Sequence, residues 1–143
     1  MATVELRFSP LPEHVRTARL VAAAVARRAG VDEAVLDEVR LAVGEACSRA
    51  VGLHIGHGLE TPVRLALIED EKAFRIEVGD DVPQAVRGPA HGSPGGEGAE
   101  NDDEGDMGLA VISGLVDDLE VTADAHGGLI AMSWPTAPEP IEP

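Results

Sequence analysis

The chain opens with Val4, Leu6 and Phe8 alternating against polar neighbours in TVELRFS, the period-2 signature of a half-buried strand, here over residues 3 to 9. The period then lengthens. In PEHVRTARLVAAAVARRAG, Ala18, Val21, Ala22, Val25 and Ala29 gather on one side at about 100° per residue, with Arg16, Arg19 and Arg27 opposite. Pro12 suits a first helical turn and Gly30 a helix stop, so the segment predicts an amphipathic helix with a basic back. A second helix, from about residue 33 to 53, follows from the stripe Leu36, Val39, Val43, Ala46, Cys47 and Ala50, with Asp32 placed to cap it. PVRLALIED and AFRIEVGD, separated by the charged EDEK, then read as a hairpin.

The composition changes at Pro83. Between Pro83 and Gly105 stand three prolines and six glycines, and EGAENDDEGD holds six acidic residues in ten with no base, too little apolar surface for a core. A flexible acidic, glycine-rich lid over about 83–105 is expected. Helical periodicity returns in MGLAVISGLVDDL through Leu109, Ile112, Leu115 and Val116, and EVTADAHGGLIAMSW closes the pattern as a hairpin turning at HGG. The tail, 136–143, is proline-rich and expected to be disordered. Helices grouped between strand pairs predict a single domain over 1–135. Its expected fold class is α/β, a two-layer α/β sandwich with a mixed, mainly antiparallel sheet and helices on one face.

Charge narrows the partners. Eleven basic against 26 acidic side chains leave 11 − 26 = −15 over 143 residues, a surplus that repels phosphate backbones and anionic lipid. Direct nucleic-acid binding and a membrane site are therefore not expected. The absence of a long apolar run or a signal-like start points to a cytoplasmic protein. The single cysteine, Cys47, sits on an apolar helix face and reads as a buried thiol.

Few residues carry obvious chemistry by themselves. Glu45 and Arg49 are one turn apart on the second helix, in the favourable acid-before-base order, worth about 0.2–0.5 kcal/mol on a surface. His54 and His57 lack the companions a zinc site needs, and the acidic stretch lacks fixed ligand spacing, so no metal is assigned. The basic back of the first helix is more informative. The projection places Leu20 and Ala23 among Arg16, Arg19 and Arg27, an apolar centre in a ring of arginines that suits a protein interface.

Four stretches in order carry a resemblance: the opening strand with SPLPEHVRTARLV, then LAVGEACSRAVGLH, IEVGDDVP and DMGLAVISGLVDDLEV. Together they resemble the GHKL ATPase superfamily with its Bergerat, or histidine-kinase-like ATPase, fold. Within it the likeness is to the small anti-sigma-factor serine kinases of bacteria. The resemblance implies that Glu45 stands at the position of the catalytic base, Asp80 at that of the aspartate that receives adenine, and Gly108 at a phosphate-loop glycine. It implies, too, that Arg19 on the first helix helps to grip a partner protein. Partners implied in this way are a STAS-type anti-sigma-factor antagonist, a sigma factor, and a second copy in a homodimer.

The same alignment of motifs exposes departures. Arg49 occupies the position of the asparagine that holds magnesium, Val82 and Gln84 those of two glycines, and Asp106 that of the first phosphate-loop glycine. A guanidinium has no lone pair for a hard cation, so Arg49 cannot replace an oxygen ligand. A carboxylate at Asp106 would face the phosphates, with a repulsion on the order of 4 kcal/mol per charge pair at about 4 Å and a dielectric near 20. The expectation is a binding protein without ATP or magnesium, its former pocket closed by Arg49 with Asp80 and Asp106. The alternatives are an active ATP- and magnesium-dependent serine kinase and a small-ligand sensor using the remodelled pocket.

Overall fold

The computed structural model describes residues 2–86, 109–116 and 118–136. Its elements are β1 (Ala2–Phe8), α1 (Glu13–Ala29), a 3-10 turn (Glu33–Val35), α2 (Leu36–Gly56), β2 (Val63–Glu69) and β3 (Ala73–Gly79), then a second 3-10 turn (Gln84–Val86), β4 (Asp118–Ala123) and β5 (Gly128–Pro135). Residues 109–115 are helical. The five strands make one sheet in the order β1-β2-β3-β5-β4, and every described pairing is antiparallel.

Register follows from the period-2 pattern. Leu6, Leu65, Val78, Ile130 and Val121 stand in one row across the sheet, and Val4, Leu67, Ile76, Met132 and Leu119 in the next. A one-residue slip of any strand would send its apolar row to the opposite face, so burial on one side fixes the pairing. That side meets α1 and α2, whose Ala18, Ala22, Ala26, Val39, Val43, Ala46 and Cys47 join the same buried cluster. Each fully buried Leu, Ile or Val there contributes about 1.5–3 kcal/mol. The result is the two-layer α/β sandwich the sequence predicts.

Local signals place the helix ends. Gly30 ends α1 in the left-handed region at φ 99°, its N–H bonded to the carbonyls of Ala26 and Arg27. Asp32 accepts a hydrogen bond from the Ala34 N–H at 3.0 Å and so opens the turn that leads into α2. On β5, the Trp134 indole N–H donates to the Leu115 carbonyl at 3.1 Å, which ties the 109–115 helix to the sheet beside the buried Ile112.

Three expectations change. Ala23 is 4% exposed and not part of a solvent-facing patch, because close packing of α1 on α2 covers that flank. Asp118 and Leu119, expected at the end of the last helix, begin β4, where pairing with Ser133 and Met132 outweighs the helical period. Gly128 belongs to β5, so the turn of the last hairpin is Asp124–Gly127. Most of the expected lid, together with Asp106, Gly108 and residues 137–143, lies outside the described residues.

Candidate functional site: a groove on α2 and a locked turn beyond it

One site forms where α1 crosses α2. Gly44 faces α1, and a Cβ there would sit 2.8 Å from Cδ and 3.5 Å from Cγ of Arg19. Glycine thus lets the arginine stem lie flat on α2. Arg16, Arg19, Leu41, Gly44, Glu45 and Ser48 line a groove of about 270 Å³ between the helices. Glu45 is half-buried in it, whereas Arg16 and Arg19 are exposed. Among the described residues these three take part in no salt bridge. Leu20, 59% exposed, and Leu41, 46% exposed, add apolar surface at the rim. Arg27 lies two turns further along α1 and pairs with Glu33 at 3.3 Å.

A second site lies at the C-terminal end of α2, where polar groups bind the chain itself. Asp80 is 3% exposed; its Oδ1 accepts hydrogen bonds from the Val82 N–H at 2.9 Å and the Gly128 N–H at 3.1 Å. Its backbone pairs with Gly128 in both directions. Gly127 makes the approach possible, because a Cβ there would lie 1.9 Å from the Asp80 carbonyl oxygen. Val82 is fully buried, and Gln84 is exposed, its N–H donating to the Asp124 carbonyl at 2.8 Å.

His54 joins this turn to α2. The ring is fully buried, with Nδ1 2.9 Å from the Thr61 carbonyl and Nε2 2.9 Å from the Asp81 N–H. A carbonyl can only accept and an N–H only donate, so the ring carries its proton on Nδ1. Asp81 pairs with Arg64. Burial works to raise its carboxyl, but the hydrogen bonds from Arg64 and Thr61 and the Arg64 charge outweigh it, holding the group below the usual aspartate range.

Over residues 8–134 the sequence matches the family of histidine kinase-like ATPase domains. The chain belongs to that family. It is 29% identical to the serine-protein kinase RsbW of Oceanobacillus iheyensis, in an alignment covering 97% of this chain and 90% of that protein. It is 30% identical to the serine-protein kinase RsbW of Bacillus velezensis, covering 91% of this chain and 83% of that protein. No described helix is long and apolar enough to cross a membrane.

Within this histidine kinase-like domain, the structure brings Arg16, Arg19 and Glu45 into one groove, and Asp80 and Val82 into one turn. Arg49 is half-buried one turn beyond Glu45. No group of three potential metal ligands occurs among the described residues. Cys47 is buried and its thiol is pushed up to about 12 by that burial, which makes it unreactive.

Sequence reasoning missed His54, Gly44 and Gly127 as site-building residues. His54 continues the apolar stripe of α2, four residues after Ala50 and seven after Cys47. A histidine on that face must find partners on both nitrogens, and this was the available signal. Gly127 is visible locally only as a turn glycine in HGG and Gly44 not at all, because their roles depend on Asp80 and Arg19, distant in sequence.

Proposed function

We propose that the chain is an anti-sigma-factor-like regulator that acts by binding proteins through the α1–α2 groove, with ATP binding and serine-kinase chemistry lost. The groove carries the reading. Two outward-facing arginines beside exposed Leu20 and Leu41 stand on a protein with a net charge of −15, so an acidic partner is steered to this face and repelled elsewhere. The leucines supply the apolar contact that an interface centre needs. The partner is a STAS-type antagonist or a sigma factor, the two competing for the groove.

Loss of the nucleotide is supported by residue chemistry at the second site and at Arg49 on α2. Asp80 Oδ1 already receives two backbone N–H groups, Val82 fills interior space, and Arg49 offers no lone pair to magnesium. These residues do not fit a magnesium nucleotide, so no transfer step is assigned to them. A second reading, an active serine kinase, is favoured by Glu45 in the groove and by the likeness to two serine-protein kinases.

Titration calorimetry of the full chain with Mg-ATP, and separately with the STAS proteins and sigma factors of the same genome, tests both. The proposal expects no heat from nucleotide and saturable binding of one protein, weakened at least about tenfold by Arg19→Glu. Micromolar Mg-ATP binding with phosphate transfer to a STAS serine would establish the kinase instead.

A further inference from the structure

The outer edge of β4 carries backbone groups that the described fold leaves unused. β4 closes one side of the sheet, with β5 on its inner side and no described strand beyond it. Which of its groups point outward follows from the last hairpin. The Asp124 N–H donates to the Gly127 carbonyl at 2.9 Å, so that pair closes the turn. At the next pair, Ala123 and Gly128, the Gly128 N–H and carbonyl both turn to Asp80, just past β3. Alternate pairs in an antiparallel ladder exchange bonds or face apart, so the backbone of Ala123, Val121 and Leu119 points away from the sheet. No turn or loop bond among the described residues takes up their N–H groups or carbonyls.

The side chains of this edge divide by face. Asp118, Glu120 and Thr122 are exposed on the face away from the helices, while Val121, 44% exposed, stands on the helix face between half-buried Leu119 and Ala123. Nothing nearby neutralises the two acids. Their partners on β5 are the uncharged Ser133 and Ala131. Of the bases on that face, Arg75 is bonded to Glu77 and Arg64 to Asp81, and Arg7 lies on β1 at the opposite edge. Charge of one sign on an edge blocks a like-charged strand and favours one of opposite sign. A second β4 is thereby excluded, because it brings acids or Thr122 opposite the acids and no base.

We propose that the β4 edge is a docking site for an extended segment of another protein, its residues alternating basic and apolar, which adds antiparallel to the sheet as one further strand. Paired residues of adjacent strands share a face. Lysines or arginines at alternate positions of the segment therefore meet Asp118 and Glu120, while the apolar residues between them cover Val121. Those apolar residues stand opposite Leu119, Val121 and Ala123 and exchange backbone hydrogen bonds with them, which supplies affinity largely independent of side-chain detail. β4 spans about 20 Å, so about six residues of the segment fill the edge. Acidic segments and nucleic acid are repelled by a chain of net charge −15.

Fluorescence anisotropy of the full chain with a labelled octapeptide alternating arginine and valine tests this. Saturable binding at micromolar concentration is expected. N-methylation of the valines, whose N–H groups face β4, should weaken binding at least about tenfold, whereas N-methylation of the arginines, whose N–H groups face away, should cost less than about threefold. Both modified peptides keep the charge of the probe. Asp118→Asn with Glu120→Gln should weaken the unmodified probe several-fold. Glu38→Gln with Glu60→Gln, exposed acids elsewhere, changes net charge equally and should leave binding within about twofold. Amide hydrogen exchange at Leu119, Val121 and Ala123 should slow when the probe binds. No binding, equal sensitivity to the two methylations, or equal loss from the two pairs of substitutions overturns the proposal. The assay needs no partner for the α1–α2 groove, so its outcome is read separately from the function proposed above.

Discussion

The middle of α2 and its C-terminal end treat polar groups in opposite ways. Near its middle, Glu45 shares a solvent-facing groove with Arg16 and Arg19, and among the described residues none of the three takes part in a salt bridge. Near its C-terminal end, His54, Asp80 and Asp81 satisfy one another's surroundings through backbone N–H and carbonyl groups. A polar group whose partners come from its own fold stabilises that fold and has little left to offer a ligand. One without a salt-bridge partner among the described residues is open to another molecule. The proposed function accordingly places partner binding at the helix pair and not at the locked turn.

Substitutions can break or sharpen that contrast. The largest effect is expected at the locked turn. Gly127→Ala must push its methyl against the Asp80 carbonyl 1.9 Å away, breaking the Asp80–Gly128 pairing. A loss of about 3 kcal/mol, roughly 10 °C in melting temperature, is expected, and an unchanged melt would remove the case for a rigid turn. His54→Leu keeps the apolar volume but leaves the Asp81 N–H and Thr61 carbonyl without their ring partner, a loss of about 2 kcal/mol in denaturant unfolding.

Arg49→Asn probes the hypothesis that this arginine is an internal counter-charge. About 1 kcal/mol of destabilisation is expected, and a gain of Mg-ATP binding in that variant would identify Arg49 as the block. At the groove, Gly44→Ala trades better helix propensity against displacement of the Arg19 stem. Stability should stay within about 0.5 kcal/mol while partner binding falls several-fold; equal binding would mean that the position of Arg19 is unimportant.

The smallest effect concerns acid. Because Asp81 is held low when folded, its contribution is complete above the ordinary value of 3.8 and is lost as pH falls below it. Arg64→Ala should raise the Asp81 titration seen by NMR and flatten the acid limb of the stability curve. The change is small because the carboxylate is largely solvated.

Much of this was legible in the residues. The alternation of Val4, Leu6 and Phe8, the stripe from Leu36 to Ala50, the Asp32 cap and the Gly30 stop are local patterns read within a few residues of one another, and their elements follow. Motif order singled out Glu45 and Arg19, which line one groove, and helical projection gave Leu20 as an exposed apolar residue. Projection failed for Ala23, since a 100° wheel describes one helix and not the neighbour covering its flank.

Sequence alone determined the elements, the apolar rows and the family, because periodicity and motif order are properties of neighbouring residues. Tertiary structure decided which polar residues are consumed and which remain outward. Asp80 and Glu45 are both conspicuous acids in the sequence, yet one meets the N–H groups of Val82 and Gly128, while the other meets a groove between helices. Gly128 is 48 residues from Asp80, and the Arg19 stem that lies against Gly44 is 25 residues from it in sequence. Such meetings depend on how sheet and helices pack, because close packing brings together groups that no local period relates.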